Sequence, residues 1–192
     1  MNVYDFDGTI YDGDSTTDFY RYCLVRTPGM LLSLPDNALD GVKFMCKTLE
    51  RQAFKERFMR RLVRHVDVSR MVDGFWRSNR KRMKQWYLAQ RDPSDLVISA
   101  SPQFLLEPIC QELGVDLIAT DVDPATGTFL GPNMRDEQKV RAFRKAYPNT
   151  TPAEFYSDSM CDAPMMRIAK RAFLVRGSTI TPVDRTELTN GL

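Results

Sequence analysis

Histidine is nearly absent, with His65 the only one in 192 residues. A histidine-rich zinc site is thereby excluded, and a Ser-His-Asp relay would have to rest on that one imidazole. Cysteine is sparse, and Cys23, Cys46, Cys110 and Cys161 form no CxxC pair. They read as free thiols in a reducing cytosol rather than as a disulfide or zinc framework. Long apolar runs are also missing. The longest stretches without a charged residue, Leu96–Leu106 and Pro124–Met134, are 11 residues each, against the roughly 20 that a membrane-spanning helix needs. The N-terminus, Met1-Asn2-Val3-Tyr4-Asp5-Phe6-Asp7, has neither the basic nor the apolar lead of a secretory signal. These absences together predict a soluble, cytoplasmic chain.

What is present suffices for a core. Hydrophobic residues make up 43% of the chain and charged residues 27%, a composition that can offset chain entropy in one domain carrying an insertion. The net charge of +2 conceals a division. Residues 14–91 hold 17 Lys+Arg against 8 Asp+Glu, a net of +9, and the remainder holds 10 against 17, a net of −7. Two parts with different electrostatic roles are expected, the basic one suited to drawing in an anion.

Val3–Phe6 is a short apolar run ending in the acidic turn Asp5-Phe6-Asp7-Gly8-Thr9, the pattern of a strand with carboxylates at its C-terminal end. Residues 15–89 then read as helical. Ser15, Thr16 or Thr17 is the expected cap of a first helix. Pro28-Gly29 interrupts it, Pro35-Asp36 opens a second, and Phe54, Phe58, Leu62 and Val66 recur at the spacing of a helical stripe. Past Asp92-Pro93, short apolar runs at Leu96–Ile98, Val115–Thr120, Phe155–Tyr156 and Ala172–Val175 alternate with amphipathic segments. A β-hairpin is expected around Asp123–Gly127. The alternation predicts an α/β fold, a doubly wound parallel sheet with an inserted helical cap. The boundaries are residues 1–13 and 90–192 for the core and 14–89 for the cap.

Open α/β sheets present ligands at the carboxyl ends of their strands. Here those ends carry Asp5 and Asp7, Ser99, and Asp158 with Asp162, and Lys139 lies near the start of a helix. Carboxylates are hard ligands suited to Mg²⁺, and a hydroxyl and an ammonium suit phosphate oxygens. The inventory describes phosphoryl transfer without histidine or cysteine. An EF-hand reading fails, because counting from Asp5 the sixth loop position is Ile10 and the twelfth is Thr16.

Asp5-Phe6-Asp7-Gly8-Thr9, Val97-Ile98-Ser99, Lys139 and Asp158-Ser159-Met160-Cys161-Asp162 resemble the four motifs of the haloacid dehalogenase-like (HAD) phosphatases, in that family's order. The spacing is similar to the subgroup with a helical cap, which includes the phosphoserine phosphatases, and the resemblance spans essentially the whole chain. It implies that Asp5 is the nucleophile and that Asp7 is the general acid and base. It further implies that Mg²⁺ sits on the Asp5 carboxylate, the Asp7 main-chain carbonyl and the Asp158 carboxylate, with Asp162 holding its water shell. Ser99, Ala100 and Lys139 would bind the phosphoryl oxygens of a small phosphorylated substrate. Gly8 would permit a tight turn that Thr9 fixes.

Two positions depart from the subgroup. Its substrate-contacting glutamate, nine residues after the nucleophile, is here the shorter Asp14. Its usual glycine three residues before the lysine is Asp136, a candidate cap for the helix carrying Lys139. A second resemblance, of Tyr22–Pro28, Met30–Pro35 and Ser99–Pro102, is to the branch containing a bacterial phosphatidylglycerophosphate phosphatase. It implies a phospholipid headgroup phosphate as an alternative substrate, with transient contact at a membrane surface. Two other classes compete. A phosphoacceptor domain shares Asp, Mg²⁺, Ser and Lys but needs neither Asp7 nor the insertion. A nucleic-acid-binding module would use Arg77, Arg80, Lys81, Arg82 and Lys84 beside Trp76 and Trp86. No nucleic-acid partner is expected, and the sequence leaves the oligomeric state open.

Overall fold

A computed structural model describes residues 1–184, Thr186 and Leu188. The remaining C-terminal positions of the expected core unit lie outside the described residues. The chain opens with β1 (Val3–Tyr4), followed by five helices before the next strand. These are α1 (Ser15–Arg26), α2 (Leu34–Met45), α3 (Arg51–His65), α4 (Val68–Asn79) and α5 (Gln85–Gln90), with 3₁₀ turns at Pro28–Ser33 and Arg80–Arg82. Then come β2 (Leu96–Pro102), α6 (Gln103–Leu113), β3 (Asp116–Thr120), α7 (Glu137–Ala146), β4 (Glu154–Ser157), a 3₁₀ turn at Met160–Asp162, α8 (Ala163–Ile168), β5 (Arg171–Arg176) and β6 (Thr179–Pro182).

The six strands form one sheet in the order β3-β2-β1-β4-β5-β6. All neighbours are parallel except β5 and β6. After β1 the chain builds outward through β2 and β3, then returns to lay β4 on the other side of β1. That reversal opens a crevice at the carboxyl end of β1, where open α/β sheets hold their ligands. The antiparallel β6 is an addition to the sequence reading, which ended the sheet at Ala172–Val175. The expected hairpin is reduced to a single bridge between Val122 and Phe129.

Successive strand residues face opposite sides of the sheet. Val3, Leu96, Ile98 and Phe155 pack with Val140, Phe143, Met165 and Met166 from α7 and α8. Tyr4, Val97 and Tyr156 face the other way, into a cluster with Phe75 and Trp76 of α4, Tyr87 of α5 and Leu105 and Ile109 of α6. Tyr4 stacks on Tyr156 at 4.9 Å, and Tyr156 on Phe173 at 4.8 Å, so one aromatic row crosses β1, β4 and β5. The inserted helices therefore share a core with the sheet. Both tryptophans are committed to it. Trp76 is buried, with its indole N–H donating to the Leu105 carbonyl at 2.6 Å, and Trp86 packs on Tyr4 and Tyr156. The stacking platform that a nucleic-acid-binding reading requires is thus used up in packing.

Local chemistry explains the helix ends. The first helix is capped by Asp14, not by Ser15, Thr16 or Thr17: its Oδ1 accepts from the Thr17 amide at 2.7 Å. The carboxylate reaches the amide three residues on, whereas Ser15 is already inside the helix and fully buried. Asp136 occupies the cap position of α7 but makes no capping hydrogen bond. Its backbone, at φ 52° and ψ −127°, turns the side chain toward Arg135 instead. Gly114 ends α6 at φ 70°. Gly127, at the tip of the Val122–Phe129 loop, lies against the α3 backbone so closely that a Cβ would collide with Met59 and Arg60.

Candidate active site

Asp5 and Asp7 follow directly on β1, and the turn after them is tightly drawn. The Gly8 amide donates to the Gly13 carbonyl, the amides of Ile10 and Tyr11 return to the Phe6 carbonyl, and Lys84 donates to the Gly8 carbonyl. Gly8 sits at φ 71°, and a Cβ there would strike the Asp158 carboxylate. Glycine therefore serves twice, once for the turn and once for close approach of the β1 and β4 ends.

Asp5, Asp7 and Asp158 line a cavity of about 500 Å³. Lys139, on the first turn of α7, is buried and donates to Asp5 Oδ1 and Asp162 Oδ2, each at 2.7 Å. Asp162 also accepts from the Ser157 hydroxyl at 2.8 Å. Among the described residues the other Asp5 oxygen, Oδ2, has only a long contact of 3.4 Å from the Thr9 hydroxyl. Thr9 in turn accepts the Asp158 amide at 2.9 Å, tying the β1 end to the β4 end rather than fixing its own turn alone. Both Asp7 oxygens are held: Oδ1 by the Ser15 amide at 2.6 Å and Oδ2 by the Ser101 hydroxyl at 2.5 Å.

Ser99 is buried on β2 and accepts the Ser101 amide at 3.1 Å. The β2–β3 register breaks between Ser99 and Pro102, which takes Ala100 and Ser101 out of the ladder. The Ala100 carbonyl receives Lys55 Nζ at 3.3 Å and Thr120 Oγ1 at 3.0 Å. All eight residues singled out in the sequence thus meet around one cavity: Asp5, Asp7, Ser99, Ala100, Lys139, Asp158 and Asp162 line it, and Thr9 braces it from behind.

The electrostatics are unbalanced. Burial raises the Asp5 carboxyl well above the usual range even though Lys139 lies against it, and burial pushes Asp7 up to about 6. Asp158 is raised too, by burial and by Asp162. Burial works against the Lys139 charge, but the Asp5 and Asp162 carboxylates outweigh it and hold the ammonium above the ordinary lysine value. Four carboxylates around one buried ammonium leave negative charge uncompensated, a set that a divalent cation would complete. The donor chemistry fits Mg²⁺: Asp5 Oδ2 is nearly unengaged, and the Asp158 carboxylate accepts no hydrogen bond from any other described residue. No group of three His, Cys, Asp or Glu side chains forms a cage among the described residues. Mg²⁺ usually takes one or two carboxylates and keeps water and substrate phosphate for the rest.

Several residues lay outside the sequence reading's site. Ser101 holds Asp7. Ser157 holds Asp162. Arg51, Lys55 and Arg135 line the cavity. Ser101 and Lys55 meet partners distant in sequence, so no local motif marks their roles, whereas Ser157 lies five residues from Asp162.

The haloacid dehalogenase-like hydrolase family model matches residues 3–167. The chain belongs to that family. No curated protein matches the sequence. Among solved structures, a protein of unknown function from Bordetella pertussis Tohama I is similar at TM-score 0.71 and 24% identity, over 90% of this chain and 87% of that one. A phosphoserine phosphohydrolase-like protein from Francisella tularensis subsp. tularensis SCHU S4 is similar at TM-score 0.57 and 14% identity, over 90% and 86%. A probable phosphoserine phosphatase from Vibrio cholerae is similar at TM-score 0.60 and 12% identity, and this chain spans 55% of its length. At these identities the likeness is one of fold.

Proposed function

We propose that the chain is a Mg²⁺-dependent phosphomonoesterase that passes the phosphoryl group through Asp5, with residues 14–89 acting as a cap over the site. The observation that carries this reading is the asymmetry at Asp5. Lys139 pins one carboxylate oxygen, and the other faces the cavity with only a 3.4 Å contact, two residues from a second carboxylate held on both oxygens. A nucleophile needs a free lone pair and a fixed direction, and a general acid needs a fixed position.

The Asp5 oxygen attacks phosphorus, the ester P–O bond breaks, and Asp7 gives its proton to the departing alcohol. Asp7 then accepts a proton from water as that water attacks the aspartyl phosphate, releasing phosphate and restoring Asp5. The raised Asp7 carboxyl suits a group that must carry a proton in one step and lose it in the next. Ser99, the Ala100 main chain and Lys139 receive the phosphoryl oxygens. Mg²⁺, when bound by Asp5, the Asp7 carbonyl and Asp158, supplies charge neutralisation between carboxylate and phosphate. The names of the Francisella and Vibrio neighbours agree with a monoester substrate.

The test is Asp5→Asn with p-nitrophenyl phosphate. Turnover should fall by more than about 10³-fold while the melting temperature is held. Retention of more than about a tenth of the rate would remove the assignment. Steady release of phosphate, rather than a single equivalent, separates the enzyme from a phosphoacceptor domain.

One observation favours a second reading, in which the ester belongs to a phospholipid headgroup on the cytoplasmic face of a membrane. Val25, Leu32 and Met45 are 79%, 80% and 81% exposed, and Leu31, Leu39 and Val42 beside them are exposed too. No helix is long and apolar enough to cross a membrane among the described residues. Sedimentation with anionic vesicles tests contact at the surface, and its absence favours the soluble ester.

A further inference from the structure

The cavity is larger than the phosphoryl chemistry requires. Its floor holds the carboxylates and Lys139, while its upper wall comes chiefly from one face of α3, with Arg51, Phe54, Lys55, Phe58 and Met59, and from Phe129 of the Val122–Phe129 loop. About 500 Å³ is room for a drug-sized ligand, well beyond one phosphate.

The basic residues of α3 divide into two sets. Arg57 and Arg61 hold Asp40 at 3.0 and 2.6 Å, and Arg60 holds Glu56 at 2.6 Å. Arg51, Lys55 and Arg64 pair with no acid among the described residues, and of these Arg51 and Lys55 line the cavity. Lys55 Nζ instead reaches two neutral oxygens, of Ala100 at 3.3 Å and Asn133 at 3.1 Å. The two lie four residues apart on the cavity-facing side, a like-charge spacing that destabilises an isolated helix. Arg135 faces them across the same cavity, its guanidinium held by Cys161 Sγ at 2.9 Å and by Asp136 at 3.4 Å. Arg51 and Lys55, with no described carboxylate at ion-pair distance and an aromatic wall beside them, describe a receptor for an anion attached to an apolar body.

Resting on the phosphomonoesterase reading above, we infer that Arg51 and Lys55, faced by Arg135, form a second anion subsite. The substrate is then a phosphomonoester whose alcohol carries a second acidic group on an apolar body lying against Phe54, Phe58 and Phe129. The phosphoryl group goes to the floor and the second acid to the wall. A small zwitterionic alcohol fits less well, because Asp14, an acid lining the cavity close to Asp7, is engaged in capping α1.

The test uses non-hydrolysable phosphonates, so that it stands even if no ester is turned over. Binding of benzylphosphonate, 4-carboxybenzylphosphonate and 1,4-bis(phosphonomethyl)benzene is measured by calorimetry at fixed Mg²⁺ and ionic strength. The wild type should bind at least one of the doubly acidic ligands about tenfold or more tightly than benzylphosphonate, the effect of a charge-assisted hydrogen bond. Arg51→Gln and Lys55→Gln should each shrink that ratio severalfold. Arg64→Gln, which removes the same charge from the far end of α3, should leave it in place. Equal binding of all three ligands, or a ratio that falls equally in Arg64→Gln, overturns the subsite. Linking the second acid to an octyl chain as a phosphodiester separates the two sources of such a ligand: retained affinity points to a lipid headgroup and lost affinity to a soluble diacid. Failure of the phosphatase reading shows separately, as absent turnover of p-nitrophenyl phosphate.

Discussion

At the floor of the cavity one ammonium, Lys139, reaches two carboxylates at once. On the wall two cations, Arg51 and Lys55, reach none. Asp5, Lys139 and Asp162 are buried, so their charges have to meet one another, and those contacts fix where they sit. The wall is half open to water, where ions are screened and pairing adds little to stability. The difference separates two duties. Under the proposed function, groups assigned to the reaction are locked by the fold, and groups assigned to the remainder of a substrate are left unspent by it.

Removing Lys139 should break the floor most severely. Lys139→Met leaves Asp5 and Asp162 buried without their cation, and about 3–5 kcal/mol of stability should go. Urea denaturation without divalent ions measures it. A loss under about 1 kcal/mol would mean that the floor is not locked by this pair of contacts.

Asp7→Asn sharpens the division within the floor. The amide cannot move a proton but keeps the main-chain carbonyl, so turnover should fall roughly 10²–10⁴-fold with Mg²⁺ affinity near that of the wild type. Calorimetry that finds Mg²⁺ binding abolished would assign the side chain a ligand's role.

Asp40 carries the comparison into the inserted helices. It is 2% exposed between Arg57 and Arg61, one of which is half exposed. Burial alone would raise its carboxyl, but the hydrogen bonds and charges of Arg61 and Arg57 outweigh it and hold the pKa below the ordinary value. Its stabilising contribution is therefore complete above the unfolded value of about 3.9 and is lost as pH falls through the folded one. Wild type should exceed Asp40→Asn by about 1 kcal/mol at pH 7, discounted for screening. The gap should close below about pH 4 in thermal melts, and a gap that widens on acidification contradicts the pairing.

The smallest effect concerns Asp136. Its φ of 52° is one that glycine adopts freely and other residues adopt under strain. Asp136→Gly should stabilise by about 1 kcal/mol, visible as a rise in the midpoint of denaturation. Destabilisation would show that the contact with Arg135 outweighs the strain.

The carboxylates at the strand ends were legible because each sits in a short motif after an apolar run, and topology alone brings β1, β2 and β4 together. The helical insertion was legible from period and from Pro28 and Pro35. What escaped depends on distance or dihedral angle. Ser101 and Asp7 are 94 positions apart, and Lys55 and Asn133 are 78 apart, so no local pattern couples them. Asp136 was expected as a helix cap from its residue type, but it makes no side-chain capping bond, and the positive φ that turns it away cannot be read from type. Thr179–Pro182 has one apolar residue clear of proline, Ile180, too little alternation to announce a strand.

The wall of the cavity rides chiefly on one helix of 15 residues, and the floor rides on strand ends. The Gly127 tip rests on the backbone of α3 at Met59 and Arg60. Positions 51, 54, 55 and 58 face the cavity as a set, with Phe54 and Phe58 also packed on Phe44 and Tyr20 and Lys55 also reaching the Ala100 carbonyl. In lineage terms α3 is an interchangeable key blank: relatives that share the lock mechanism can differ in what they open by recutting this single element.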